Sequence, residues 1–293
     1  MAILKKVSVV IPSNKPLNQI TKISYKFIVQ QTYRNIELLI YLNGINKKER
    51  KLVINYLEKL NIYNHKIICF YSKKQITPGL ARLKLINESS GEYIIFIDAD
   101  DIPDINLISY KMNLANQENS DIVCSSANIF SNIEEYKYEK MKIRSYFIKL
   151  MFLTLFRKSF LPLTINLMPN SGTLVKKNLS NKSIFENYPN YRHEDFIFYL
   201  SLINNIKTIS IIEKPLISYY VSRKTMTGNK LLSRIWHAKA VSYYKKIPLF
   251  YSILLTLFGF LFFQPIIFLF DNARLFFIKS DTKNNKFSFL FKD

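Results

Sequence analysis

Over the first 126 residues, short apolar runs alternate with longer stretches in which apolar positions recur every three or four residues. The short runs are "VSVVI" (7–11), "IELLIY" (36–41), "KIICFY" (66–71), "YIIFI" (93–97) and "DIVCSS" (121–126). Their length and their β-branched and aromatic content predict strands. Between them, Leu17, Ile20, Ile23 and Phe27 keep a helical spacing, as do Leu52, Ile54, Leu57 and Leu60, and so does the segment from Leu80 to Ile86. Pro78 is placed to open the third of these helices, since its fixed φ suits a first helical turn. Strands alternating with helices imply βαβ units and a mostly parallel sheet, and the near-continuous apolar strands imply a sheet covered on both faces. Ligands of such sheets bind beyond the carboxyl ends of the strands. The sequence places "PSN", "NG" and an acidic cluster at that edge.

Beyond residue 127 the pattern loosens. The segment 133–160, "IEEYKYEKMKIRSYFIKLMFLTLFRKSF", mixes cations with apolar residues at helical spacing. It suits a membrane surface, an acceptor groove or an ordinary amphipathic surface helix. From Ile247 to Phe270, 24 residues carry no charge. That exceeds the roughly 18 apolar residues of a candidate bilayer span, but Gln264-Pro265 interrupts it and proline removes a helix hydrogen bond. A span and an interface-lying helical pair both fit, with a buried core hairpin as the third arrangement. Three segments follow from this division: 1–126, 127–235 and an apolar, membrane-associating end over 236–293.

Composition changes the picture in one respect. Lys and Arg total 42 against 21 Asp and Glu, a formal charge of +21, while 48% of the residues are hydrophobic. The chain can bury a core, and its charge favours an anionic partner such as a membrane face or a phosphorylated ligand. No nucleic-acid motif accompanies the charge, and a lysine-rich solvated surface would account for it alone. Cys69 and Cys124 lie in apolar runs and read as buried thiols of a reducing compartment. "MAILKKVSVVIPS" turns polar too early for a secretory signal, so the amino-terminal part is expected in the cytoplasm.

The acidic cluster is the candidate chemistry. In "EYIIFIDADDIP" (92–103) a strand ends in Asp98, Asp100 and Asp101. An EF-hand loop fails here, because the fifth loop position is Ile102 and the sixth Pro103. A phosphatase of the haloacid dehalogenase type fits poorly after Asp101-Ile102. A hard divalent cation bound with a substrate phosphate suits clustered carboxylates best.

Several separate stretches carry a family resemblance: "VSVVIPSN", "VQQTYRNIELLIYLNG", "GLARLKLINESSGEYIIFIDADD" and "YRHEDFIFYL", in that order across about 200 residues. Together they resemble the inverting, family 2 glycosyltransferases of bacterial surface-polysaccharide synthesis. The fold implied is α/β of the GT-A type, a Rossmann-like, mostly parallel sheet flanked by helices, here with a helical membrane-associating extension. By that resemblance Asp98 and Asp100 would position the donor ribose and a Mn²⁺ or Mg²⁺ ion, with Asp100 the first choice of ligand. Arg82 would face the nucleotide or its phosphate, and Pro12 and Ser13 would shape the base pocket. Asp195 or its neighbour Glu194 would be the general base. His237, in "RIWHAK", would approach the diphosphate if it followed similar enzymes, with an ordinary surface or core histidine as the other reading, and "SRKTMT" (222–227) resembles a segment that closes over the donor.

The pattern breaks after the second strand, where a "VDDGS"-like turn is replaced by "YLNG", leaving Asn43 to meet the base. Uridine is the expected base. The implied partners are a nucleotide-sugar donor, a glycan or lipid-diphosphate-linked acceptor and an anionic membrane surface, with no nucleic acid. The implied place is the cytoplasmic face of the plasma membrane, peripheral or monotopic, with a single carboxyl-terminal span as the alternative. A non-catalytic, membrane-bound scaffold on a degenerate GT-A fold is the competing function.

Overall fold

Val7–Ser13 (β1) is the middle of a parallel core: it pairs with Ile36–Asn43 (β2) on one side and with Tyr93–Phe96 (β4) on the other. Lys66–Ser72 (β3) continues the sheet beyond β2. All eight residues of β2 and all four of β4 are buried, as expected for strands covered on both faces. The computed structural model describes residues 4–14, 20, 22–23, 25–130, 163, 170–179, 192–203, 205–220, 230–263, 265 and 286–290.

The connecting helices follow their end signals. Lys47–Leu60 (α1) starts from a capping box in which Asn46 accepts from the Glu49 N–H and Glu49 accepts from the Asn46 N–H, each at 2.9 Å. Its buried face is Val53 and Leu57, whereas Leu52 is 50% exposed. Pro78–Glu88 (α2) carries proline in its first turn, and Thr77 accepts from the Leu80 N–H. Of the first predicted helix, Ile20, Ile23 and Phe27 are buried and Lys26–Gln30 forms a π-helical turn.

The sheet then departs from the expected pattern. After Ile102–Pro103 (β5) and Leu107–Glu118 (α3), the strand Ile122–Phe130 (β6) does not join β4 directly. Leu174–Lys176 (β7) lies between them, antiparallel to both. After Glu194–Leu202 (α4), Thr208–Tyr220 (β8) pairs parallel with β6 and antiparallel with β5 and with Lys286–Leu290 (β9). The spatial order is β3-β2-β1-β4-β7-β6-β8-β5, with β9 on β8. Among the described residues, parallel and antiparallel pairings are equally numerous, so the sheet is mixed where the periodicity predicts a mostly parallel one. The reason is local: β7 has three residues, too few to leave a periodic signature. Position 126/127 falls inside β6, at its register shifts. All of 133–160 and of 222–227 lie outside the described residues. Lys230–Lys245 (α5) and Leu249–Phe258 (α6) follow among the described residues, and α6 runs into a π-helical turn, Gly259–Phe263.

A buried carboxylate braces the other end of the sheet. Glu37, fully buried in β2, accepts from Ser8 Oγ at 2.6 Å, Ser90 Oγ at 2.7 Å and the Gly91 N–H at 3.2 Å. Gly91 has to be glycine, because a Cβ there would meet Ser8 Oγ at 2.6 Å and the Lys6 carbonyl oxygen at 2.8 Å. Burial alone would raise the Glu37 pKa, but the bonds from Ser8 and Ser90 and the charge of Lys6 hold it at about 2. A depressed folded-state pKa contributes stability that is complete above the unfolded value of 4.5 and is lost as the pH falls toward 2. Glu37→Gln is therefore expected to flatten the acid limb of a stability–pH profile over that window. Identical acid limbs for the two proteins would remove Glu37 as the brace.

Candidate active site

The order β3-β2-β1-β4 means that the chain runs outward from β1 and then returns to its opposite flank. The crevice expected at such a switch point, where open α/β sheets bind ligands, lies at the carboxyl ends of β1 and β4. In the parallel register Val10 sits beside Phe96. Two residues farther on, Pro12 and Asp98 come level at the mouth of that crevice. Ser13, next along β1, is buried.

Arg82 organises the site. It projects from α2 with its side chain 7% exposed, and its two terminal nitrogens reach carboxylates 16 and 112 residues farther along the chain. Nη2 donates to Asp98 Oδ1 at 3.0 Å and Nη1 to Glu194 Oε1 at 2.7 Å. Burial disfavours the guanidinium charge, but Asp98, Glu194 and Asp195 more than compensate and raise its pKa. Arg82 is thus turned toward the protein's own carboxylates, and it ties the end of β4 to the start of α4.

That attachment separates the two acids of "HED". Glu194 is buried and ion-paired, and its pKa is raised by burial despite the nearby Arg82. Asp195, in the same first helical turn, is half-buried, and its charge acts on Arg82, Asp98 and His193. His193, immediately before α4, adopts a left-handed conformation with φ 70°. That conformation is uncommon outside glycine, and it sets the angle at which the helix begins. The His193 ring lies 3.3 Å from Ser233 Oγ.

The aspartates after β4 are bound unequally. Asp98, its side chain 40% exposed, also takes a 3.4 Å contact from Asn170 Nδ2, and its backbone N–H donates to Ser171 Oγ at 3.1 Å. Asp101 is buried and accepts from the Tyr220 N–H at 3.0 Å. Asp100 is half-buried between them in sequence. Desolvation in the crevice raises the Asp98 pKa, with Arg82 opposing and Asp100 adding to the rise. Asp101 is pushed up further, by burial first and then by Asp98 and Asp100.

Asn170 and Ser171 are the site residues that sequence reasoning missed. Because β7 runs antiparallel to β4, the turn before it arrives at the carboxyl edge, where the Gly172 N–H bonds the Phe96 carbonyl at 2.7 Å. Gly172 has φ +83°, a conformation that glycine adopts without penalty. The available signal was the Asn-Ser-Gly turn in "PNSGTL" (169–174).

Two expected donor residues sit in other company. Asn43, at the end of β2, donates to the Ile76 carbonyl at 2.6 Å and accepts from the Ile76 N–H at 2.8 Å and Ser72 Oγ at 3.2 Å. Its amide braces the loop after β3. His237 is buried under α4, with its ring centroid 4.2 Å from that of Phe196 and its Nε2 2.8 Å from the Leu163 carbonyl oxygen. Since a carbonyl only accepts, Nε2 carries the proton. Burial and the neighbouring His193 push the His237 pKa down to about 4, leaving a neutral packed ring.

Among the described residues, no group of three His, Cys, Asp or Glu could hold a metal ion by itself. A Mg²⁺-like cation needs only one or two carboxylates when a substrate phosphate supplies further oxygens. The charge of Asp100 raises the Asp98 pKa, and a nearby positive charge relieves such repulsion. Asp98 and Asp100 therefore fit a hard cation held jointly with a diphosphate.

Comparison with known proteins bears on the family and the fold. The model of the family "Glycosyl transferase family 2" matches residues 8–183. An uncharacterized glycosyltransferase of Methanocaldococcus jannaschii is 27% identical over 247 residues, covering 81% of this chain and 77% of the relative. Among solved structures, the mannosyltransferase PcManGT of Pyrobaculum calidifontis, in complex with GDP-Man and Mn²⁺, superposes with a TM-score of 0.58 at 12% identity. That match covers 97% of this chain and 77% of the neighbour. Residues 1–349 of S. aureus TarS, in complex with UDP-GlcNAc, superpose with a TM-score of 0.53 at 13% identity, covering 86% and 70% of the two chains. These likenesses show a GT-A fold.

Proposed function

The chain belongs to glycosyl transferase family 2, and from that premise we propose that it moves one sugar, with inversion, from a nucleoside diphosphate donor to an acceptor hydroxyl. The observation that carries the reading is the Arg82 bridge, which brings the acidic end of β4 and the acidic start of α4 into one site. Donors of the two structural neighbours, GDP-Man and UDP-GlcNAc, support a nucleotide-sugar here.

In this reading the donor lies over the carboxyl ends of β1 and β4, with Pro12 and Ser13 beside the base. Asp98 and Asp100 hold the cation together with the diphosphate. A divalent cation bound there supplies charge stabilisation to the departing diphosphate. The acceptor oxygen forms its bond to the anomeric carbon as the bond to the phosphate oxygen breaks, and the electron pair leaves with the nucleoside diphosphate. Asp195 takes the acceptor proton. Glu194 is ill-suited to that role because Arg82 already occupies its carboxylate. The acceptor in this reading is a surface glycan or its lipid-linked precursor, and the donor base is uracil.

The test is a panel of UDP- and GDP-sugars with Mn²⁺, reading nucleotide release and the shift in Tm. One donor is expected to be cleaved, with the matching diphosphate raising Tm. A folded protein that neither binds nor cleaves any member would end the proposal.

A further inference from the structure

The helix α6 is inside out. The residues it buries are Ser252 and Thr256, together with Gly259 in the turn that follows. Its outward positions are Phe250 at 65% exposure, Tyr251 at 58%, Leu254 at 47% and Leu257 at 45%, continued by Leu261 and Phe262. A water-facing helix carries the reverse pattern, with an apolar stripe inward and polar residues outward. The buried hydroxyls do not call for polar partners elsewhere, since Thr256 Oγ1 donates to the Ser252 carbonyl at 2.8 Å within the helix itself. Small residues at four- and three-residue spacing let α6 lie close against α5, a packing typical of helices bathed in lipid. The apolar surface extends onto α5 through Leu231, at 71% exposure, and Ile235.

Charge selects the occupant. From Lys230 to Phe270 the sequence holds five cations (Lys230, Arg234, Lys239, Lys245 and Lys246) and no carboxylate. Lys245 and Lys246 are exposed at the corner between the two helices, and the Arg234 guanidinium stacks 3.2 Å from the Phe260 ring centroid. Cations bordering apolar and aromatic residues match an anionic headgroup layer over acyl chains. Among the described residues no helix is long and apolar enough to cross a membrane. At 1.5 Å per residue, 249–263 extends about 22 Å, short of the roughly 30 Å hydrocarbon core.

We propose that the α5–α6 pair docks in the plane of an anionic lipid surface, with the outward face of α6 at the headgroup–acyl boundary and Lys245 and Lys246 at the phosphates. The assignment stands independently of the transferase reading, because lipid binding requires no turnover.

The test is flotation of the full chain with vesicles of phosphatidylcholine alone and with one-third phosphatidylglycerol. Binding is expected to the anionic vesicles and to fall with added salt. The variant Lys245→Gln/Lys246→Gln is expected to partition roughly thirtyfold more weakly, about fivefold for each cation removed, while donor cleavage in solution stays unchanged. The variant Phe250→Ser/Leu254→Ser/Leu257→Ser is expected to lose flotation at every salt concentration, with its circular dichroism and Tm retained. A folded chain that stays off anionic vesicles overturns the proposal. So does self-association that buries α6 and leaves no flotation.

Discussion

Replacing Asp195 by Asn is expected to lower kcat by roughly 10²–10⁴-fold, the usual contribution of a positioned general base, with Tm unchanged. The expectation rests on the unequal settings of two adjacent carboxylates. Glu194 is buried against the Arg82 guanidinium, so its loss leaves a buried cation short of a partner and is felt as instability. Asp195 is half-buried in the same helical turn, and its charge reaches Asp98 across the crevice. Asparagine preserves its shape and removes only the proton-accepting charge. Nucleotide release measured beside thermal unfolding separates the two cases: Asp195→Asn should be inactive and stable, Glu194→Gln unstable. Full activity in Asp195→Asn, with Glu194→Gln inactive at native Tm, would transfer the role of base to Glu194.

Asp100→Ala is expected to reduce donor cleavage at least about a hundredfold, a loss of several kcal/mol of charge stabilisation. It should also abolish the rise in Tm that a nucleoside diphosphate gives in the presence of Mn²⁺. Without ligand, the same variant is expected to be as stable as the parent or slightly more so. The charge of Asp100 pushes up the pKa of both Asp98 and Asp101. Removing it relieves repulsion among these carboxylates, the trade between stability and activity that functional sites commonly show. A variant that loses Tm without ligand, or keeps its Mn²⁺-dependent response, would show that Asp100 serves the fold instead.

Where the chain has strong periodicity, its fold could be read directly. The four strands β1–β4 and the helices α1 and α2 stand where apolar runs, Pro78 and helical spacing predict them. The acidic strand end also lies at the ligand-binding edge of the sheet. What escaped depends on contacts between distant residues. β7 is three residues long, and Asn170 and Ser171 matter only because that strand runs backward into the sheet. Nothing in "GLARL" says that Arg82 turns toward Glu194. Asn43 and His237 have residue types suited to a ligand, yet their partners are Ile76, Phe196 and the Leu163 carbonyl. Residue type indicates what a side chain can do, but the packing decides which neighbour it serves.

The single guanidinium shared by β4 and α4 also constrains descent. A lineage that loses Arg82 alone leaves Glu194 buried without its cation, a penalty of about 3–5 kcal/mol on typical values. That is a large share of the roughly 5–15 kcal/mol by which a domain holds together. Arg82 and Glu194 are therefore expected to change together, which ties the donor-gripping and proton-accepting ends of the enzyme to one inherited contact.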